Sequence, residues 1–206
     1  MSRQIDRYNH EEDLNVFQAF TDLMSNAFMI VSFLLLVNIV QALSISQKLK
    51  SASPIIIDEK SGNFKFPSGS AALTPDLKKY IEINIAPEIE KATKKDNIDF
   101  IQVIGHTDSQ GISNASNLDG KLTSAATGKD KITDLKAGSN ADLGLMRAIA
   151  VVQFLQQTKK LDEVKFRAYS AAQLYLPSGK LAAQNVIADD TRRRIEIRFV
   201  PRGQNR

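Results

Sequence analysis

The chain has 206 residues, a net charge of +4, no cysteine and only two histidines, His10 and His106. That excludes disulfides, thiol catalysis, a cysteine-linked lipid anchor and a histidine-rich metal centre. The basic residues are scattered apart from Arg192-Arg193-Arg194 and form no aromatic-interleaved stripe, so no nucleic-acid partner is expected.

The length accommodates one membrane anchor and one domain of roughly 140–150 residues. Residues 1–13 are polar and charged and read as a short tail. Residues 14–45 read as a single transmembrane helix, with no Pro, no Gly and, from Leu23 to Leu43, no ionisable side chain. At 1.5 Å per residue this helix would be about 48 Å long, more than a hydrocarbon core of roughly 30 Å. Asp22 lies near the start of the apolar run. Gln18, Ser25 and Asn26 stand at i−4, i+3 and i+4 from it, so all four share one helix face.

A carboxylate in a membrane span costs roughly 2.5 kcal/mol or more at the helix centre, and chains that keep one use it for ion or proton handling. The residues leave a second reading open, in which Asp22 and Thr21 cap a helix at the membrane surface. A cleaved signal peptide ending near Val40-Gln41-Ala42 is disfavoured. Residues 1–22 hold two Arg against five Asp and Glu, the wrong charge for such a leader. Arg3 and Arg7 before the helix nearly balance Lys48 and Lys50 after it, so charge does not set the orientation.

Residues 46–63 read as a connector and the start of the second domain, which occupies 64–206. Ile55-Ile56-Ile57 and Phe64-Lys65-Phe66 flank an Asp-Glu-Lys-Ser-Gly turn and predict a β-hairpin. Thr74-Pro75-Asp76 is a helix start, and Pro87 predicts a kink or break at Ala86. Phe100–Ile104 predicts a buried strand. Residues 112–139, rich in Ser, Thr, Gly, Asn, Asp and Lys, predict a long mobile loop. Ala141–Gln157 is an amphipathic helix, and Val164–Tyr169 and Arg194–Phe199 alternate as half-buried strands. The order is βαβαββ, an α+β domain with helices against one face of a sheet.

Asp108 follows the first long strand in Gly105-His106-Thr107-Asp108, and Arg147 lies on the helix after the loop. A carboxylate and a guanidinium held apart in one cleft grip a zwitterion, the Asp on its ammonium and the Arg on its carboxylate. A structural Asp–Arg pair is the alternative. No Gly-x-Ser-x-Gly, P-loop or Gly-x-Gly-x-x-Gly motif is present, so neither bond-making catalysis nor a cofactor is expected.

Four motifs, in order, resemble the OmpA-like peptidoglycan-binding domain that also ends MotB-type motor stator subunits. They are Phe66-Pro67-Ser68-Gly69-Ser70-Ala71-Ala72-Leu73, Val103–Gly111, Asn140–Ala148 and Arg193-Arg194-Ile195-Glu196-Ile197. The resemblance covers 64–200 and implies a mixed sheet with helices packed on it. It implies that Asp108 and Arg147 bind the diaminopimelate, or an equivalent zwitterion, of the cell-wall stem peptide, with Thr107, Asn140 and Arg193 as neighbours. His106 is read as structural.

This chain departs from the family pattern in three places. It inserts about two dozen residues within 112–139, it has Gly144 where Ser is usual, and it has Arg192 where Asn is common.

Phe20-Thr21-Asp22-Leu23-Met24 before a lone apolar helix resembles the B subunits of ion-driven motors, flagellar MotB and PomB types and the ZorB subunit of Zorya phage-defence systems. That resemblance implies that Asp22 carries the proton or sodium ion. It implies a homodimer within a ring of five multi-span A subunits (MotA- or ZorA-like), anchored to peptidoglycan. It places the chain in the bacterial inner membrane, N-terminus cytoplasmic and C-terminal domain periplasmic. The connector from Leu43 to Phe66, at most about 80 Å extended, is short for a flagellar stator and favours a Zorya-like role. A passive membrane-tethered wall anchor is the alternative.

Overall fold

The computed structural model describes residues 2–51, 53–58, 65–95, 97–183 and 188–202, and the side chains of these except at 2–16, 45–51 and 159. They form two compact units, residues 1–50 and 51–206.

The first unit is one helix, α1, Ser2–Ser51. It outruns the expected 14–45 at both ends, so the residues read as a tail and the start of the connector are helical. The reason is that nothing interrupts it. Gly and Pro are absent up to Pro54, which pushes the preceding residue out of the α region. Within it, Phe17–Ser44 is long and apolar enough to cross a membrane.

The second unit has the predicted βαβαββ order with one further α-helix within 112–139. Strand β1 is Ile55–Asp58, and helix α2, Pro75–Tyr80, runs through a π-helical turn at Ile81–Ile85 into α3, Ala86–Lys95. Strand β2 is Ile98–His106, α4 is Leu118–Ala126, α5 is Asn140–Gln156, β3 is Phe166–Ala172 and β4 is Arg194–Pro201. The sheet order is β1-β4-β2-β3. Strand β4 pairs antiparallel with β1 and β2, while β2 and β3 are parallel. The main core joins Ile101, Val103, Ile195 and Ile197 of the sheet to Leu77, Ile81, Ile85 and Ile89 of the first helical segment and Val151 and Leu155 of α5.

Three expectations are corrected. The predicted hairpin is not the partner of β1. Lys65 and Phe66 are not strand, Asp58 of the expected turn is the last residue of β1, residues 59–64 lie outside the described residues, and β1 pairs with β4 instead. That pairing sets Ile57 opposite Ile195 over the core. Pro87 causes no break. The Ala86 amide bonds to the Ile81 carbonyl, five residues back, and the widened turn accommodates a ring that would otherwise meet the carbonyl of Ile83.

Residues 112–139 are folded rather than a loop. Leu118, Ala125, Ile132, Leu135 and Ala137 form a second core against Leu143, Met146, Ile149 and Ala150 of α5. The spacing of Leu118, Leu122 and Ala125 is helical, but Ser, Thr, Gly and Lys between them dilute the signal.

Thr74 caps α2 by accepting from the Leu77 amide at 3.3 Å. Ser139 caps α5 by accepting from the Asp142 amide at 3.1 Å, and Asp142 accepts from the Gly138 amide at 2.8 Å. The caps fix where α5 starts, and a close approach fixes where it lies. A Cβ on Gly105 would stand 1.9 Å from the Gly144 carbonyl oxygen, and one on Gly144 would stand 2.8 Å from the Gly105 oxygen. Only two glycines let the first turn of α5 rest on the end of β2. Gly144, where the family pattern has Ser, is therefore part of how the helix docks.

Candidate functional site

In the helical unit, Asp22 lies well inside α1, far from its first turn. The Thr21 hydroxyl donates to the Phe17 carbonyl at 2.8 Å, a bond made within the helix. An N-cap needs a non-helical backbone and free amides ahead of it. Neither residue meets that condition, so the capping alternative fails. Gln18, Asp22, Ser25 and Asn26 fall on one face of a continuous helix, and all four are exposed. Asn38, farther along, turns its amide back onto the Leu34 carbonyl at 2.8 Å.

In the second unit, Asp108 and Arg147 line one cleft of about 480 Å³, with Asn140 and Arg193. The sequence reading named all four. Strand β2 delivers Asp108, and the following loop is pinned when the Thr107 amide donates to the Ala172 carbonyl at 2.9 Å. Asp108 is only 4% exposed. Its Oδ2 lies 2.6 Å from Arg193 Nη1 and accepts from the Asp189 amide at 3.4 Å, while Oδ1 accepts from the Gln110 amide at 3.3 Å. Arg193 also bridges to Asp190, whose second oxygen takes Lys65 Nζ at 3.0 Å. Lys65 first, and then Arg193, hold the Asp190 carboxyl below its ordinary range.

Arg147 comes from α5. Its Nε donates to the Ser70 carbonyl at 3.0 Å, and its guanidinium carbon stands 4.8 Å from the centre of the Phe66 ring. Asn140 donates to the Gln110 carbonyl at 2.9 Å and ties the helix start to the Asp108 loop. The lining holds three cations, Lys65, Arg147 and Arg193, against one carboxylate, Asp108. Asp190, just outside the lining, pairs with both Lys65 and Arg193, and Arg193 also pairs with Asp108, so Lys65 and Arg193 both already engage carboxylates.

One residue named from sequence does not line it. Thr107 is buried, and its hydroxyl has no partner among the described residues. Arg194, which opens β4 beside Arg193, turns to the opposite side. It bonds Glu196 Oε1 through Nε at 3.0 Å and Nη2 at 2.9 Å, and donates to the carbonyls of Tyr175 and Leu176. His106 is buried with Nε2 at 3.1 Å from Glu196 Oε1, and Arg198 donates to Glu196 Oε2 at 2.7 Å. His106 first, and then Arg198 and Arg194, hold the Glu196 carboxyl well below the ordinary carboxylate range against the opposing effect of burial. Arg192, the residue that departs from the family pattern, is fully buried and donates to the Gln173 carbonyl.

Sequence reasoning missed Lys65, Phe66, Gln110 and Asp190 as members of the site. Phe66 sat inside a quoted motif. Asp190, three residues before Arg193, carried the one signal that spacing could offer.

No protein-family model matches this sequence, and no curated protein matches it. Among solved structures, it is similar to the periplasmic domain of Helicobacter pylori MotB, with TM-score 0.45 and 20% identity over 73% of this chain and 76% of that one. It is similar to a MotB-like protein from Desulfovibrio vulgaris, with TM-score 0.43 and 13% identity over 72% of this chain and 75% of that one. It is also similar to an outer-membrane protein from Borrelia burgdorferi B31, with TM-score 0.39 and 18% identity over 72% of this chain and 98% of that one.

Proposed function

We propose that this chain is the B subunit of an ion-driven membrane motor, with Asp22 carrying a proton or sodium ion and the second domain anchoring the complex to peptidoglycan. The observation that carries the reading is the pairing of two features in one chain. One is a carboxylate inside an uninterrupted, membrane-length helix, where it caps nothing. The other is a cleft with a buried Asp108 and the guanidinium groups of Arg147 and Arg193.

In this reading the chain is a single-pass protein of the bacterial inner membrane, with the N-terminus cytoplasmic and the cleft periplasmic. The polar face of Gln18, Asp22, Ser25 and Asn26 meets a ring of multi-span A subunits, and the chain acts as a homodimer. A polar stripe in a membrane helix faces protein or water rather than lipid. The ligand ammonium displaces Arg193 from Asp108, and the freed Arg193 and Arg147 take the carboxylate of a diaminopimelate-like residue. Work comes from ion transfer, not from bond-making. Only residues 52–54 separate Ser51 from Ile55, which supports a Zorya-like role over a flagellar one, where a longer connector is the rule in the family.

The test is Asp22→Asn in cells that carry the A subunit. Ion flux or motor output is lost while peptidoglycan binding is retained. Unchanged output would leave a passive anchor. Asp108→Ala and Arg147→Ala abolish co-sedimentation with purified peptidoglycan, and undiminished binding would place the ligand elsewhere.

A further inference from the structure

The folded segment between the Asp108 loop and α5 builds a second cavity, of about 570 Å³, beside the first. The two share Gly69, and the next residue, Ser70, lines the second cavity while its carbonyl is held by Arg147 of the first. The two cavities therefore meet at Gly69 and Ser70.

The second cavity has a different chemistry. Its floor is apolar, with Leu135 and Met146, and its rim carries Ser70, Asn114, Thr133 and Lys136. Lys136 is the single ionisable group in the lining, and it is exposed. It makes no ion pair among the described residues.

The rim is held in place rather than draped. The Asn117 side chain donates to the Asp134 carbonyl at 2.9 Å and accepts from the Lys136 amide at 2.7 Å, so the backbone that carries Lys136 is clamped on both sides of Leu135. A Cβ on Gly138 would meet the Asn114 carbonyl oxygen and the Ser116 amide at 3.0 Å, so the chain two residues beyond Lys136 packs closely on residues 114–116. The apolar residues of the segment are satisfied in their own core on α5. The cavity is what that packing leaves between the segment and residues 69–72.

We infer that this cavity is a second subsite for the same ligand, in which Lys136 receives a carboxylate adjacent to the zwitterion held by Asp108 and Arg147. The inference rests on the peptidoglycan reading of the first cleft. It adds that the segment recognises a neighbouring part of the stem peptide with a free carboxylate, set among neutral hydrogen-bonding groups.

Two probes separate the subsites: free diaminopimelate, which needs only the first, and γ-glutamyl-diaminopimelate, whose α-carboxylate reaches the second. Binding to the full-length protein in detergent is followed by calorimetry. Wild type binds the glutamyl peptide more tightly than its α-amide. Lys136→Glu weakens the glutamyl peptide by about tenfold, the scale of one hydrogen bond to a charged group, and leaves diaminopimelate unchanged. Lys136→Arg retains the preference. If Lys136→Glu binds the acid and the amide as wild type does, the second subsite is wrong and the first stands. If wild type binds neither probe, the reading of the first cleft is overturned and this inference with it.

Discussion

Gly105→Ala tests how the cleft is held together. The added Cβ would lie 1.9 Å from the Gly144 oxygen, 2.7 Å from its carbonyl carbon and 3.0 Å from its Cα. All three are backbone atoms, so no side-chain rotation relieves the contact. Strand β2 is paired on both edges, with β3 and β4, and has no room to shift. The first turn of α5 must therefore retreat by roughly 1 Å, and overpacking of this kind costs about 1–3 kcal/mol. The upper end applies because a whole helix moves.

For a domain of this size, about 3 kcal/mol lowers the melting temperature by roughly 6–12 °C. Retreat of α5 also carries Arg147 and Asn140 away from Asp108, so ligand affinity falls with stability. Thermal unfolding of the full chain in detergent, read by near-ultraviolet circular dichroism, measures the first effect. Gly111→Ala is the control. No atom lies within 4 Å of its added Cβ, and it melts with wild type. Gly120→Ala, in the interior of α4 with equally open space, stabilises by about 0.5–1 kcal/mol. If Gly105→Ala melts with Gly111→Ala, the close approach of β2 and α5 is not what positions the site.

Three further outcomes follow from particular contacts. Arg193→Ala leaves the buried Asp108 carboxylate without its 2.6 Å partner and costs about 3 kcal/mol, whereas the double change with Asp108→Asn recovers part of it; equal urea midpoints for the two would refute the pairing. Glu196 is held below its ordinary value of 4.5, so its contribution is fully present above that pH and is lost as pH falls through the depressed value. Glu196→Gln is therefore less stable at neutral pH and loses less stability between pH 4.5 and pH 2, and parallel curves of urea midpoint against pH would contradict this. Leu118→Ala or Leu135→Ala costs about 2–5 kcal/mol if residues 112–139 are packed on α5, while values within measurement error would mean that the segment contributes no core.

What could be read from sequence was whatever rested on strong period or fixed spacing. Helix α5 and strand β4 each show several turns or pleats of unbroken apolar rhythm, and both fall within a few residues of their expected bounds. Asp108 and Arg147 were named because both sit in motifs that carry the OmpA-like resemblance, and the fold brings the two to one cleft. The fate of Arg194 was half-legible. Ile195 and Ile197 face the core, so Arg194, Glu196 and Arg198 must share the opposite face, and Glu196 is the carboxylate that lets two arginines settle there. The π-helical turn before Pro87 was not legible, since a kink and a widened turn both relieve the same clash. Nor was the docking of Gly144 on Gly105, which joins residues far apart in sequence.

If the chain is a motor subunit as proposed, its helix sets a demand that its second domain must meet. In the proposed motor, one elementary charge carried by Asp22 across 100 mV releases about 2.3 kcal/mol. A stationary body must hold against that work. A single subsite with a millimolar dissociation constant supplies about 4.1 kcal/mol, less than twice the work of one ion. A tenfold gain from a second subsite adds about 1.4 kcal/mol and widens that margin. If the cleft of Asp108, Arg147 and Arg193 holds the wall with such an affinity, a carboxylate received by Lys136 in the neighbouring cavity adds to that hold. On this argument Lys136→Glu lowers the load at which the motor slips while leaving ion flux through Asp22 intact. A variant that lost flux and hold together would show that Lys136 acts on the ion path and not on the anchor.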